Sequence, residues 1–268
     1  MTAAPPRARG ALRLSVRSAG GRSALATLHQ AGSLKAVFPR PAGAALQAVL
    51  VNTAGGVTGG DSFTVAAEAR PGSRLTLTTQ AAERGYRAVA GQTGRIRARL
   101  RVGAGAHLLW LPQETILFDG CAIDRALSAD LDAGGRLTLV EPVLFGRAAM
   151  GETLRGAAFT DRIAVCRDGA PLFIDRTVLA GDIAGQLGRP AVAAGAGAMA
   201  LIVHVAPDAP ALLAGLRKRL PETAGASLIG DDLLVARLLA TDGFVLRQSL
   251  VPALMALTGT DLPRPWSL

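Results

Sequence analysis

Cysteine, histidine, tyrosine and lysine are all scarce in this 268-residue chain, and each scarcity removes a class of chemistry. The two cysteines, Cys121 and Cys166, have no paired spacing; they offer neither a disulfide framework nor a zinc motif and read as buried, reduced thiols. His29, His107 and His204 stand far apart without a His-Glu-x-x-His pair, which leaves no local signature of a catalytic triad or zinc site. His204, inside LIVHV, reads as a core residue, and His107, beside Leu108 and Trp110, as an outward strand position. Aromatic residues make up 4%, with Tyr86 the single tyrosine, too few for the stacking platforms of single-strand nucleic-acid binders. No run of about 18 apolar residues is available to span a bilayer. Leu12, Leu14 and Val16 alternate with Arg13, Ser15 and Arg17 as in a strand, not as in a signal-peptide core. A cytoplasmic protein with no membrane partner is expected.

Arginine, alanine and glycine are abundant instead. Lysine occurs only at Lys35 and Lys218, so the net charge of +9 is carried by arginines scattered along the chain. Scatter argues against a nucleic-acid partner and leaves an acidic protein partner as the specific use of the charge. The stretch VNTAGGVTGGDS, residues 51 to 62, holds four glycines, Asn52 and Asp61. A P-loop needs a lysine and a hydroxyl after its last glycine, whereas here Asp61 and Ser62 follow, and a carboxylate repels phosphate. No βαβ unit follows either, so the segment reads as a tight bend in which Gly59 and Gly60 supply backbone freedom and Asn52 supports the turn.

A unit returns about every thirty residues. SFTVAAEARPGSRLTLTTQ, RIRARLRVGAGAHLLWLPQE and AIDRALSADLDAGGRLTLVEP each run as strand, turn at Gly72, Gly105 or Gly134, and strand. Phe63, Val65 and Ala67 share one face, as do Ile96, Ala98, Leu100 and Val102, opposite Thr64, Arg97, Arg99 and Arg101. Leu75 with Leu77, Leu108 with Trp110, and Leu137 with Leu139 mark a buried face in the second strands. A fourth unit turns at Asp168-Gly169 as a hairpin. The expected architecture is mainly β, either a two-layer sandwich or a solenoid-like stack of hairpins.

Helical periodicity begins only past Gly195. Asp208 and Pro210 signal a helix carrying Leu212, Leu213, Leu216 and Leu220 and ended by Pro221. After a strand pair around SLIGDDLLVARLLA, a second helix runs from Thr241 or Asp242 to about Thr258, with Phe244, Leu250, Val251, Leu254 and Leu257 as its apolar face and Pro252 as a kink. Because both helices need a sheet to cover, one domain over 1–268 is expected, with a β-stack at about 12–180 and a mixed α/β part at about 195–260.

Polar groups return after the second strands: Gln80, Glu114 and Glu141 hold equivalent places. If the units register, these three line one surface or channel, with Asp61 and Asp119 as neighbours, and hard oxygen ligands would pass a divalent cation without gripping it. The plainer reading has them capping turns and pairing with Arg84, Arg87 and Arg147. A β-rich hydrolase or carbohydrate-active enzyme using Glu114 and Glu141 as acid and base is the alternative function.

AGGVTGGD (54 to 61), LTLTTQAAERGYR (75 to 87), LLWLPQETILFDG (108 to 120) and LVEPVLFGRAAMGE (139 to 152), in this order, resemble the UreD family of urease accessory proteins, called UreH in some organisms. The resemblance runs from about Leu12 to the terminal LPRPW. It implies a helical stack of β-strands with about two α-helices near the C-terminus, no catalysis, and action with UreF and the GTPase UreG on apo-urease. It also implies Ni²⁺ in transit through a water-filled passage, with no permanently bound cofactor. Asp61, Gln80, Glu114, Glu141 and Asp175 match the family's acidic and polar motif positions and are the passage candidates. In that picture Val51 to Ser62 is a bend that presents Asp61 to the passage. Tyr86, Arg87, Asp119, Arg147 and Glu152 also match motif positions; of these, Tyr86, Arg87, Arg147 and Glu152 suit fold-supporting ion pairs and hydrogen bonds. Thr53-Ala54 stands where the family commonly has prolines.

Overall fold

The computed structural model describes residues 6–40 and 43–267; the ends of the domain expected over 1–268 lie outside them. The first half of the chain forms β1 (Arg9–Ala19), β2 (Arg22–Gly32), β3 (Leu34–Val37), β4 (Leu46–Asn52), β5 (Ser62–Ala69), β6 (Arg74–Thr79), β7 (Glu83–Gly85), β8 (Gly94–Val102), β9 (His107–Leu111) and β10 (Thr115–Leu117). Then come β11 (Ala122–Leu131), β12 (Arg136–Phe145), β13 (Ala157–Arg167), β14 (Ala170–Gly181), α1 (Ile183–Leu187), β15 (Ala198–Val205), α2 (Ala209–Arg217), β16 (Ala224–Ile229), β17 (Leu233–Ala240) and α3 (Gly243–Thr258).

Two sheets face each other. One runs β14-β13-β11-β8-β5-β1-β2 and the other β16-β17-β15-β12-β9-β6-β4-β3, with β7 and β10 as a short side branch. Between β4 and β13 the chain crosses from sheet to sheet, and each long strand lies parallel to its equivalent in the next coil. The repeat is therefore a β-solenoid-like stack. The two strands of each of the first three units lie in different sheets and do not pair, which corrects the hairpin form of that expectation. The period of two explains it: a parallel neighbour places equivalent inward residues side by side and builds ladders, as in Leu46, Leu75, Leu108 and Leu137. Val65, Ala98, Leu127 and Ile163 form the facing ladder. Gly72, Gly105 and Gly134, all at φ between 64° and 73°, make the stacked turns between sheets. Asp168 and Gly169, both at positive φ, close a true antiparallel hairpin between β13 and β14.

The ten-stranded sheet is buried on both faces. Its second face, with Leu109, Leu111, Val140, Ile202, Leu234 and Leu238, packs under α2 and α3, which is why β15 reads as a continuous apolar run. Asp242 caps α3 by accepting from the Val245 N–H at 2.9 Å. The helix runs through Pro252. Phe244 is 74% exposed, so it does not belong to the expected apolar face; Leu246 and Ala253 join Leu250, Leu254 and Leu257 there. The short α1 was not expected: Asp182 caps it, accepting from the Gly185 N–H at 3.0 Å, but five residues are too few to show a helical period. Among the described residues, no helix is long and apolar enough to cross a membrane.

Leu77→Ala removes a fully buried ladder residue and should lower unfolding free energy by about 2–5 kcal/mol. Asp242→Ala should cost about 1 kcal/mol. Urea unfolding followed by circular dichroism measures both, and a similar small loss at the two sites would mean that the interior refills.

Candidate functional site: a polar cavity between the sheets

One layer of the interior breaks the apolar ladder. Phe63 and Ile96 are followed in register by Arg125 and Asp161, and Glu141 faces them from the other sheet, 2.7 Å from the Arg125 Nη1. Arg125 donates from Nε to Asp161 Oδ1 at 3.0 Å, from Nη2 to Oδ2 at 2.6 Å, and from Nη1 to Thr115 Oγ1 at 3.0 Å. Its guanidinium lies 5.5 Å from the Phe159 ring centroid. The second Glu141 oxygen accepts from Trp110 Nε1 at 2.8 Å.

Burial works against the charge on Arg125, yet Asp161 and Glu141 hold its pKa above the usual value. Glu141 is raised by burial, with Asp161 adding to the rise and Arg125 offsetting part of it. Glu141 therefore keeps its proton to higher pH than a free carboxyl does. The sign for stability follows: this contribution is complete below the unfolded carboxyl pKa and is lost as pH rises through the raised folded value.

Beside this triad is a cavity of about 190 Å³, walled by Phe63, Ile96, Trp110 and Leu127 and carrying Gln80, Glu83, Gln113, Thr115, Arg125 and Glu141. Glu83 accepts from Asn52 Nδ2 at 3.2 and 3.1 Å. Burial raises its pKa and the Asn52 hydrogen bond only partly offsets that. Asn52 also accepts from the Ala54 N–H at 3.0 Å and donates to the Gly56 carbonyl at 3.1 Å, so the residue that shapes the glycine bend also holds a cavity carboxylate. Among the described residues, no three His, Cys, Asp or Glu side chains gather in an arrangement able to hold a metal ion.

With this geometry in view, the comparisons decide the family. The model of the UreD urease accessory protein family matches residues 8–267. The chain belongs to the UreD family. It is 54% identical over 257 residues to a "Urease accessory protein UreD" of Ruegeria pomeroyi, covering 96% of this chain and 100% of that one. The protein of the same name from Roseobacter denitrificans is 51% identical, with 98% and 96% covered, and that of Sinorhizobium medicae 45% identical, with 99% and 98% covered.

Of the UreD motif positions, Gln80 and Glu141 line the cavity. Glu114 does not. Its carboxylate turns to α3 and takes Arg247 at 2.6 and 3.1 Å, while Arg247 lies 5.3 Å from the Trp266 ring centroid. An acid–base pair must face one substrate; Glu114 turns to Arg247 on α3 and Glu141 to Arg125 between the sheets, so these two do not form such a pair. Asp61 is also outside the lining. Its oxygens accept from the Ala8 and Thr58 N–H groups at 2.8 and 2.9 Å, tying the glycine bend to the start of β1. Asp175 pairs with Arg237 at 2.8 Å where the sheet edges meet. The expected line of Gln80, Glu114 and Glu141 with Asp61 and Asp119 as neighbours is thus corrected to Gln80, Glu83 and Glu141.

The remaining motif residues gather around Phe118. Tyr86 meets its ring edge-on at 5.1 Å between centroids, and the Arg147 guanidinium lies 4.3 Å from it. Arg147 forks onto Glu152 at 3.0 and 2.8 Å, and Arg87 binds Asp119 at 2.9 Å. Asp119 also accepts from the Arg155 and Gly156 N–H groups, and these bonds hold its pKa below the usual carboxylate range. Gly59 and Gly60 lie where a Cβ would press on Ala88 and Arg7. His204 is buried, with Nδ1 2.9 Å from Thr138 Oγ1, as its apolar surroundings implied. His107 is half-buried rather than outward; burial, then Arg136 and Arg74, bring it down to about 4. Cys121 is buried, and Cys166 only half-buried.

Glu83, Arg125 and Asp161 were not singled out from sequence. The legible signal was a charge in the inward phase: Arg125 between Ile123 and Leu127, Asp161 between Phe159 and Ile163.

Arg125→Met strands two buried carboxylates and should cost about 3–5 kcal/mol, whereas Arg125→Met with Glu141→Leu and Asp161→Leu should recover most of that loss. Chemical denaturation of both variants checks it. A triple variant no more stable than the single one would show that the charges are needed for more than mutual compensation.

Proposed function

We propose that the chain is a non-catalytic urease maturation factor that acts in the cytoplasm with UreF and the GTPase UreG on apo-urease. It passes Ni²⁺ through the cavity between the sheets toward the enzyme's active site. The observation that carries this reading is the cavity itself, whose polar lining of Gln80, Glu83, Gln113, Thr115 and Glu141 is oxygen-bearing, without thiol or imidazole, and has Glu141 and Thr115 held by Arg125. Such donors bind a divalent ion weakly enough for it to leave. Burial of Glu83 and Glu141 adds a gate of charge: with raised pKa values they gain negative charge at higher pH than free carboxyls, so the hold on a cation strengthens as pH rises. For partner contact, α3 offers Phe244, Val245 and Met255 to solvent, side chains suited to the desolvated centre of a protein interface. The family resemblance supports UreF and UreG as the partners and Ni²⁺ as the cargo, held only in passing.

Co-expression of apo-urease and its other accessory proteins, with and without this chain, tests the role through urease activity and bound nickel read together. Both should fall without the chain; unchanged values would sink the proposal. Glu83→Gln should reduce nickel-dependent activation about tenfold, with the difference from the parent shrinking as pH falls, because the parent carboxyl is then protonated too. Activation by that variant equal to the parent at neutral pH would place the route elsewhere.

A further inference from the structure

Both long helices pack on the ten-stranded sheet, which leaves the outer face of the seven-stranded sheet open. There β8 points Arg95, Arg97, Arg99 and Arg101 outward; its neighbour β11 sets Asp124 and Asp130 opposite the outer two and the small Ala126 and Ser128 opposite Arg97 and Arg99. Beyond β11 stand Arg162 on β13 and Arg176 on β14. The result is a groove of about 410 Å³ running over β11, floored by Ala126, Ser128 and Ala164 and walled by Arg97, Arg99, Arg162 and Arg176. β8 and β13 are two strand spacings apart, about 10 Å, with β14 one spacing beyond, enough for one extended chain.

Three features point to an acidic occupant. Asp124, at one end of the groove, places its carboxylate between Arg97 and Arg162, bonded to the first and 3.5 Å from the second. Arg176 stands in the row of Arg97 and Arg162, and Arg99 one row further along; neither has an acidic partner among the described residues, and Asp175 at the margin is held by Arg237. Arg162 and Arg176 lie directly opposite each other on adjacent strands, a like-charge juxtaposition that costs stability unless something neutralises it. No aromatic side chain lines the groove, so a nucleic acid finds charge but no stacking platform.

We infer that this groove docks an extended acidic segment of a partner protein, with one carboxylate beside Arg99 and another beside Arg176, each taking up a guanidinium as Asp124 takes up those of Arg97 and Arg162. That the partner belongs to urease assembly rests on the maturation role above; the groove's preference for carboxylates does not. The test uses the full chain, a fluorescent octaglutamate peptide and an oligothymidylate of equal charge, followed by anisotropy, with Arg99→Glu/Arg176→Glu as the variant. Both side chains point to solvent, so the variant should keep the parent's melting temperature. Saturable peptide binding that weakens about tenfold or more in the variant and falls with added salt is the expected result. Absence of peptide binding, equal binding by the variant, or oligothymidylate binding as tight and as sensitive to the variant would each overturn the inference. Urease activation in cells, run in parallel, separates the two ideas: a parent chain that fails to support activation removes the maturation role and leaves the peptide result standing.

Discussion

A single buried guanidinium ties the two sheets together where their interior turns polar. Arg125 spans from Asp161 in its own sheet to Glu141 in the other, and Thr115 and Trp110 take up the remaining polar contacts. Without it, two carboxylates would face each other in an interior whose neighbouring layers are built of leucine, valine and phenylalanine. Such a network adds little net stability over an apolar layer, because desolvation offsets most of the attraction. What it makes possible is a polar opening inside a β-stack whose other layers are dry.

The acidic residues of this chain divide by partner, and partner decides role. Glu114 is neutralised by Arg247 and fastens α3 to the sheet. Asp61 is spent on backbone N–H groups of a bend, and Asp119 and Glu152 on a cluster around Phe118. Glu83 and Glu141 are the carboxylates that reach the cavity, and both are pushed toward the protonated form by burial. On the outer face of the facing seven-stranded sheet the imbalance is reversed, with guanidiniums outnumbering acids. One fold thereby presents an acidic interior and a basic exterior.

Much of the architecture was legible because the alternation has period two and the turns carry glycine. Phe63, Val65, Leu75, Leu77, Leu108, Trp110, Leu137 and Leu139 point inward as their spacing required. The helix beginning at Asp242 could be read from its cap and its leucines, but Phe244 could not be placed, because periodicity assigns a stripe and not the width of the sheet beneath it. Pairing was equally hidden. A strand, a glycine turn and a strand look the same whether they fold back as a hairpin or cross to a second sheet, since only the neighbour in space tells them apart.

By itself the sequence determined the family, the mainly β character and the inward and outward phase of the long strands, all of which depend on local order or residue type. Tertiary structure decided which carboxylates share a space. Gln80, Glu114 and Glu141 hold equivalent places along the chain, yet Glu114 turns to a helix more than a hundred residues later while Glu141 turns to an arginine on the facing sheet. A buried charge takes the nearest compensating group in space, and the chain's order does not say which group that is.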